Sequence, residues 1–139
     1  MIDLHSHIVP GFDDGARSME DALEMARMAA DSGVTILAAT SHGNLSQGDP
    51  GACLRDYRKR LAMLRREVRL AGIRLKLAGG MEILLTGETL RYAERHRLPG
   101  LRGGNWILAE FVFDIPQARA RKRLEFLDRQ GYQVILAHP

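Results

Sequence analysis

Val34-Thr35-Ile36-Leu37-Ala38-Ala39 forms an apolar run broken only by a threonine, and Thr40-Ser41-His42 closes it. A run of this kind marks a strand covered on both faces. Gly33, just before it, sits where a helix ends at its C′ position. That helix opens at Ser18, carries Glu20 and Asp21 in its first turn, and lines up Met19, Ala22, Leu23, Ala26, Ala29 and Ala30 on one face. Helix, glycine and buried strand in this order are the unit of an α/β fold.

The unit repeats outward in both directions. Upstream, Ile2 to Leu4 reads as a short first strand. Downstream, a polar loop from Gly43 to Gly48 leads to Asp49-Pro50, a good N-cap and N1 pair. Leu54, Tyr57, Leu61, Leu64, Val68 and Ala71 then recur at steps of three and four, a long amphipathic helix closed by Gly72. Ile73 to Ala78 is the third strand, and a short helix follows from Gly87 to His96. Trp106 to Ala109 is the fourth strand, Gln117 to Gln130 an arginine-rich helix ended by Gly131, and Tyr132 to Ala137 the fifth strand. The pattern predicts five βα units, a mainly parallel sheet and right-handed crossovers. No internal repeat, low-complexity tract or linker divides the 139 residues.

Composition narrows the possible functions. The net charge is +3, with Lys and Arg interleaved with acids, as in Arg55-Asp56-Tyr57-Arg58-Lys59-Arg60. Such charges read as solvated helix faces. Nucleic-acid binding would call for a contiguous basic stripe with groove-reading or aromatic elements, and none is found. No apolar run approaches the roughly 18 residues of a membrane span, and the first residues lack the basic and apolar regions of a signal peptide. The cytoplasm is the expected compartment. Cys53 is the single cysteine, placed among core-type residues of a helix, so an internal disulfide is impossible and packing is its expected role.

The chemistry stands at the strand tips. The first strand leads to His5-Ser6-His7, the second to His42, the third to Glu82, the fourth to Glu110 and the fifth to His138. Parallel strands point their C-terminal ends at one face, where α/β barrels place catalysis. A lone histidine or glutamate at a strand end is ordinarily a surface residue; five such tips in register point to a metal site. Two residues apart on a strand, His5 and His7 face the same side while Ser6 points away. Asp13-Asp14-Gly15 reads locally as a turn, and beside two metal-type histidines its carboxylates become candidate ligands. Imidazole and carboxylate without thiolate suit zinc, manganese or iron. Several carboxylates imply more than one ion, and such sites hydrolyse phosphate esters.

Met1-Ile-Asp-Leu-His5-Ser-His7 through Asp13-Asp14-Gly15 resembles the opening of the PHP (polymerase and histidinol phosphatase) family. More narrowly, it resembles the bacterial capsule-associated protein-tyrosine phosphatases of the CpsB/YwqE type. The resemblance continues through Thr40-Ser41-His42, Gly80-Met81-Glu82, Ala109-Glu110-Phe111 and Ala137-His138-Pro139, and so covers residues 1–139. It implies that the chain is a partial PHP phosphoesterase domain, the first five βα units of a distorted (β/α)7 barrel. It implies three divalent ions, manganese first, with iron, zinc or magnesium as alternatives. His5 and His7 would hold one ion, Glu82 would bridge two, Glu110 and His138 would complete the second, and Asp14 and His42 would serve the third. Water activated on these ions would be the nucleophile, with no further catalytic side chain. The substrate would be phosphotyrosine on protein, specifically the tail of a bacterial tyrosine kinase governing capsule or exopolysaccharide synthesis. A small-molecule phosphatase acting on an ester such as histidinol phosphate shares these ligands. Family members continue beyond the position of Pro139 with an Asp-x-His motif and an arginine, so the expectation includes a truncated chain, and with it an inactive remnant. A polymerase proofreading domain ranks last.

Overall fold

The structure, a computed structural model, describes residues 1–138; Pro139 lies outside the described residues. The elements, in chain order, are strand β1 (Ile2–Asp3), helix α1 (Met19–Asp31), β2 (Ile36–Ala39), β3 (His42–Gly43), helix α2 (Pro50–Leu70), β4 (Lys76–Gly79), β5 (Glu82–Leu84), helix α3 (Gly87–Ala93), a 3-10 turn (Leu101–Gly103), β6 (Trp106–Glu110), helix α4 (Gln117–Arg129) and β7 (Gln133–Leu136). Local chemistry sets the helix starts. Ser18, Asp49 and Thr86 each accept a backbone N–H three residues on, from Asp21, Ala52 and Thr89 at 3.1 Å, and so satisfy a donor the helix cannot.

The strands form two sheets, ordered β1-β2-β4 and β3-β5-β6-β7. Every strand pair is parallel. The mixed α/β architecture expected from the sequence is therefore present. Its division corrects the expectation of five continuous strands in one sheet. Among the described residues there are seven short strands, because the second and third runs each break: β2 stops at Ala39 and β3 begins at His42, while β4 stops at Gly79 and β5 begins at Glu82. His42 and Glu82 thus open strands of their own instead of capping the preceding ones, and they pair with each other in register.

Tyr57 of α2 explains how the breaks are tolerated. Its hydroxyl, 4% exposed as a residue, donates to the Ala39 carbonyl at 2.6 Å and accepts the Gly80 N–H at 3.0 Å. Both backbone groups lie where the ladder is interrupted, and each would otherwise be a buried polar orphan. Met81 N–H finds Pro99 O at 3.2 Å, and Glu82 N–H finds Ser41 O at 3.1 Å. Helix α2 packs Leu54, Leu61, Leu64 and Val68 against the sheets, as its three-and-four periodicity predicts. The core continues through Ile8, Val9, Met81, Ile83, Ile107 and Leu127, all fully enclosed.

Candidate metal centre

The His5-Ser6-His7 segment leaves β1 but stays extended, because Thr40 continues the pairing of β1 with β2. Thr40 N–H donates to Ser6 O at 2.7 Å, and Ser6 N–H donates to Thr40 Oγ1 at 2.9 Å. Ser6 is thereby tied to the neighbouring strand. The flanking imidazoles lie together, their Nε2 atoms 3.2 Å apart.

Between the histidines sits Glu82, a fully buried residue. The His5 Nε2, His7 Nε2 and His42 Nδ1 atoms stand 3.2, 3.1 and 3.3 Å from its Oε2. His138 Nε2 stands 3.4 Å from its Oε1. His42 Nδ1 is also 3.3 Å from Glu110 Oε1. His138 follows β7 with φ +53°, the left-handed region that non-glycine residues enter chiefly at functional or turn positions. The cluster opens to solvent on the His138 side. A hollow of about 540 Å³ is lined by Asp3, His5, His7, Met25 and His138. A groove of about 1210 Å³ runs from Glu110 and His138 along Phe113, Leu124 and Leu136.

The loop after His7 adds two carboxylates in different settings. Asp13 Oδ2 accepts the His42 N–H at 2.8 Å and lies 2.8 Å from His7 Nδ1, while its Oδ1 accepts the Gly15 N–H at 3.1 Å. Burial alone would raise the Asp13 carboxyl, but those donors outweigh it and hold it below the ordinary carboxylate value. A proton on His7 Nδ1 facing Asp13 leaves the Nε2 lone pair turned toward Glu82, the second-layer arrangement common behind ligating histidines. Asp14, by contrast, is exposed; its Oδ1 lies 3.7 Å from His7 Nδ1 and 3.5 Å from His42 Nε2. Gly15 is required by close approach: a Cβ there would fall 2.0 Å from the His7 carbonyl oxygen.

The residues fit divalent cations. No N–H or O–H in the described residues hydrogen-bonds either Glu82 oxygen, although both are buried. A buried carboxylate with no donor is costly, and ring nitrogens surround this one without donating to it. Ligand atoms sharing one cation at about 2.1 Å each stand about 3.0–3.4 Å apart, which is the spacing seen here. Groupings whose ligand atoms lie mutually within 4.8 Å include His5, Glu82 and His138; His7, His42 and Glu82; and His7, Asp13 and Asp14. Glu82 is common to the first two. The structure thus brings together His5, His7, His42, Glu82 and His138, with Glu110 beside His42 and Asp14 at the open rim. His5 Nε2 and His7 Nε2 lie 3.2 Å apart and both face Glu82 Oε2, a spacing at which the two can share one ion. Sequence reasoning singled out Asp14 and left Asp13 unassigned; only the Asp-Asp-Gly pattern signalled it. Cys53 is half-buried, and burial, with Asp56 nearby, pushes its thiol up, so it offers no ready thiolate.

Comparison with known proteins gives the same direction. The model of the family described as capsular polysaccharide synthesis, CpsB/CapC, matches residues 1–139. The tyrosine-protein phosphatase YwqE of Bacillus subtilis (strain 168) is 34% identical over 141 residues, which cover 100% of this chain and 54% of that protein. The tyrosine-protein phosphatase CpsB of Streptococcus pneumoniae is 27% identical over 139 residues, 99% of this chain and 56% of that protein. A solved structure from a study of YwqE and CpsB, described as unique metal-dependent tyrosine phosphatases, superposes with TM-score 0.84 at 34% identity and covers 100% of this chain and 56% of its own. The chain therefore spans about half the length of the curated relatives it matches. Among the described residues, no helix is long and apolar enough to cross a membrane.

Proposed function

This chain belongs to the CpsB/CapC family of capsular polysaccharide synthesis, and from that premise we propose that its histidine–carboxylate cluster is the metal centre of a protein-tyrosine phosphatase. The observation that carries the reading is Glu82: a buried carboxylate without a hydrogen-bond donor, ringed by four imidazole nitrogens at 3.1–3.4 Å. His5, His7, His42, Glu82 and His138 would hold the cations, with Asp14 and Glu110 as further carboxylate ligands. Three ions, manganese first among iron, zinc and magnesium, belong to this reading. So do closure of the complete protein as a distorted PHP barrel of seven strands and a cytoplasmic location.

Divalent cations held here would supply Lewis acidity toward a phosphoryl oxygen and an activated water. The chain's own residues do the rest. Glu82 sets one carboxylate among four histidines, with Oε2 facing His5, His7 and His42 and Oε1 facing His138. Asp13 meets the His7 ring at Nδ1 and so orients it, and it fixes the backbone from which the His42 ring projects. The open His138 side admits a substrate on a protein surface. A tyrosine phenolate, with a conjugate-acid pKa of about 10, leaves more readily than a serine alkoxide. Cys53 takes no part, so no cysteinyl phosphoenzyme forms. The substrate proposed is phosphotyrosine on a bacterial tyrosine kinase tail, in the capsule context that the family description names.

The test is phosphate release by this chain with Mn²⁺, from a phosphotyrosine peptide and from histidinol phosphate side by side. Release from the peptide, lost with EDTA and in Glu82→Gln, is expected. Turnover of histidinol phosphate alone would overturn the substrate. A chain that binds Mn²⁺ and hydrolyses neither ester would overturn the hydrolase reading.

A further inference from the structure

We infer that Arg60, on a helix that supplies no ligand, is a positioning residue that clamps the Asp13–Asp14 loop against the metal centre. The inference rests on the metal-centre reading and extends it to a residue far from the cluster in sequence.

Arg60 Nη1 donates to the carbonyl oxygens of both Pro10 and Gly11, each at 3.1 Å. Its Nε donates to Asp56 Oδ2 at 2.8 Å, one turn back on α2. The ion pair itself is partly solvated and adds little stability. Its effect is directional: it fixes the guanidinium so that the other edge of the planar fork meets two adjacent carbonyls. A carbonyl pair is a natural target for arginine, whose several donors keep a fixed geometry.

What the clamp holds is the turn that launches the loop. Gly11 has φ +62°, a left-handed conformation that an L side chain rarely adopts, and a Cβ there would lie 3.1 Å from Arg60 Nη1. Gly11 N–H donates to Ala16 O at 2.7 Å, and Ala16 N–H donates to His7 O at 3.0 Å. The loop is thus stitched at its base to His7 and at its apex to α2. Phe12 packs edge-on against Tyr57 at 5.7 Å between ring centroids, one turn from Arg60 on the same helix. Asp13 follows directly and carries the bonds to His7 Nδ1 and to the His42 backbone. Movement of the Pro10–Gly11 turn would therefore be felt at two imidazoles. Backbone bonds within the loop set its local shape, and Arg60 ties it to α2.

The probe is Co²⁺ alone, titrated into this chain and followed by its visible absorption, with thermal unfolding recorded beside it. Loss of groups supporting metal ligands typically weakens affinity about 10- to 100-fold. Arg60, one layer further out, is expected near the lower figure: about tenfold weaker binding for Arg60→Met, with altered band intensities as the coordination relaxes. Arg60→Lys keeps the charge but not the fork and is expected to fall between Met and wild type. A merely structural arginine would lower the unfolding temperature and leave the Co²⁺ affinity and spectrum unchanged. That result in a folded Arg60→Met overturns the inference. If Arg60→Met does not fold, wild-type affinity in Arg60→Lys overturns it. Failure of the underlying reading looks different: the wild-type chain would show no Co²⁺ spectrum, or Glu82→Gln would bind as well as wild type.

Discussion

Strands β2 and β7 each lead to a histidine of the same cluster, yet they are embedded differently. β2 lies between β1 and β4, and three of its four residues are buried. Among the described residues β7 pairs only with β6, and none of its four residues is buried. Close to its end, Leu136, Val112 and Phe113 are exposed. The difference reaches the candidate ligands. The His42 backbone is anchored by Asp13, and its side chain is 40% exposed, whereas His138 leaves a sheet edge with its side chain 64% exposed. One half of the cluster is pre-organised by partly buried hydrogen bonds; the other hangs from an edge strand. Glu82 joins them, because its two oxygens face different histidines.

The sharpest way to break this comparison is to remove the shared carboxylate. Excess Mn²⁺ should stabilise the wild-type chain against unfolding by about 2.7 kcal/mol at a hundredfold excess over Kd. Glu82→Gln should lose that stabilisation entirely, since a neutral amide neutralises neither cation. His138→Gln should keep part of it, because His7, His42 and the loop carboxylates remain. Denaturant unfolding with and without Mn²⁺ checks both. Equal losses in the two variants would show that the edge-strand histidine is as central as the buried carboxylate.

The elements and chemistry of the better-embedded half were largely legible in the sequence, because apolar runs, caps and ligand types are local signals. The break between Ala39 and His42 was not. A strand interruption is affordable only if something distant satisfies the freed groups, and Tyr57, 18 residues from Ala39, does so here. Read along the chain, Tyr57 is one more apolar position of an amphipathic helix. The roles of Asp13 and Asp14 were illegible for a related reason: both are aspartates in one turn, and only the positions of the His42 and Gly15 N–H groups separate the enclosed carboxylate from the exposed one. Arg60 acts across 50 residues, where sequence periodicity carries no information. The seven candidate ligands could be named because residue type announces metal chemistry; what holds them in place announces nothing.

Tyr57→Phe tests that hidden support and is expected to have an intermediate effect. Removing the hydroxyl leaves the Gly80 N–H and Ala39 C=O unpaired, at a cost of about 1–3 kcal/mol. The pH dependence carries a second signature. Burial raises the Tyr57 pKa, so above the unfolded value of about 10 the native state binds more protons than the unfolded state. The associated stability is full below about pH 10 and declines as pH rises toward the native pKa. Urea unfolding across alkaline pH should show this decline in wild type and a shallower one in Tyr57→Phe. Parallel curves would mean that the hydroxyl titrates alike in both states and is not sealed at the strand break.

The smallest effect belongs to the exposed edge. Phe113 has a relative exposure of 105%, so it contributes no burial that a substitution could remove. Phe113→Ser should therefore change unfolding stability by no more than about 0.5 kcal/mol, as surface replacements do. A fully buried leucine such as Leu64, truncated to alanine, should cost about 2–5 kcal/mol. The contrast is diagnostic because Phe113 is the larger side chain: were size alone decisive, the order would reverse. An exposed aromatic beside an apolar groove instead favours association, so Phe113→Ser should lower self-association in sedimentation velocity at high concentration while leaving the denaturation midpoint in place. A stability loss approaching that of Leu64→Ala would show that Phe113 is covered in solution, and the β7 edge would then have to count among the well-embedded parts of the molecule.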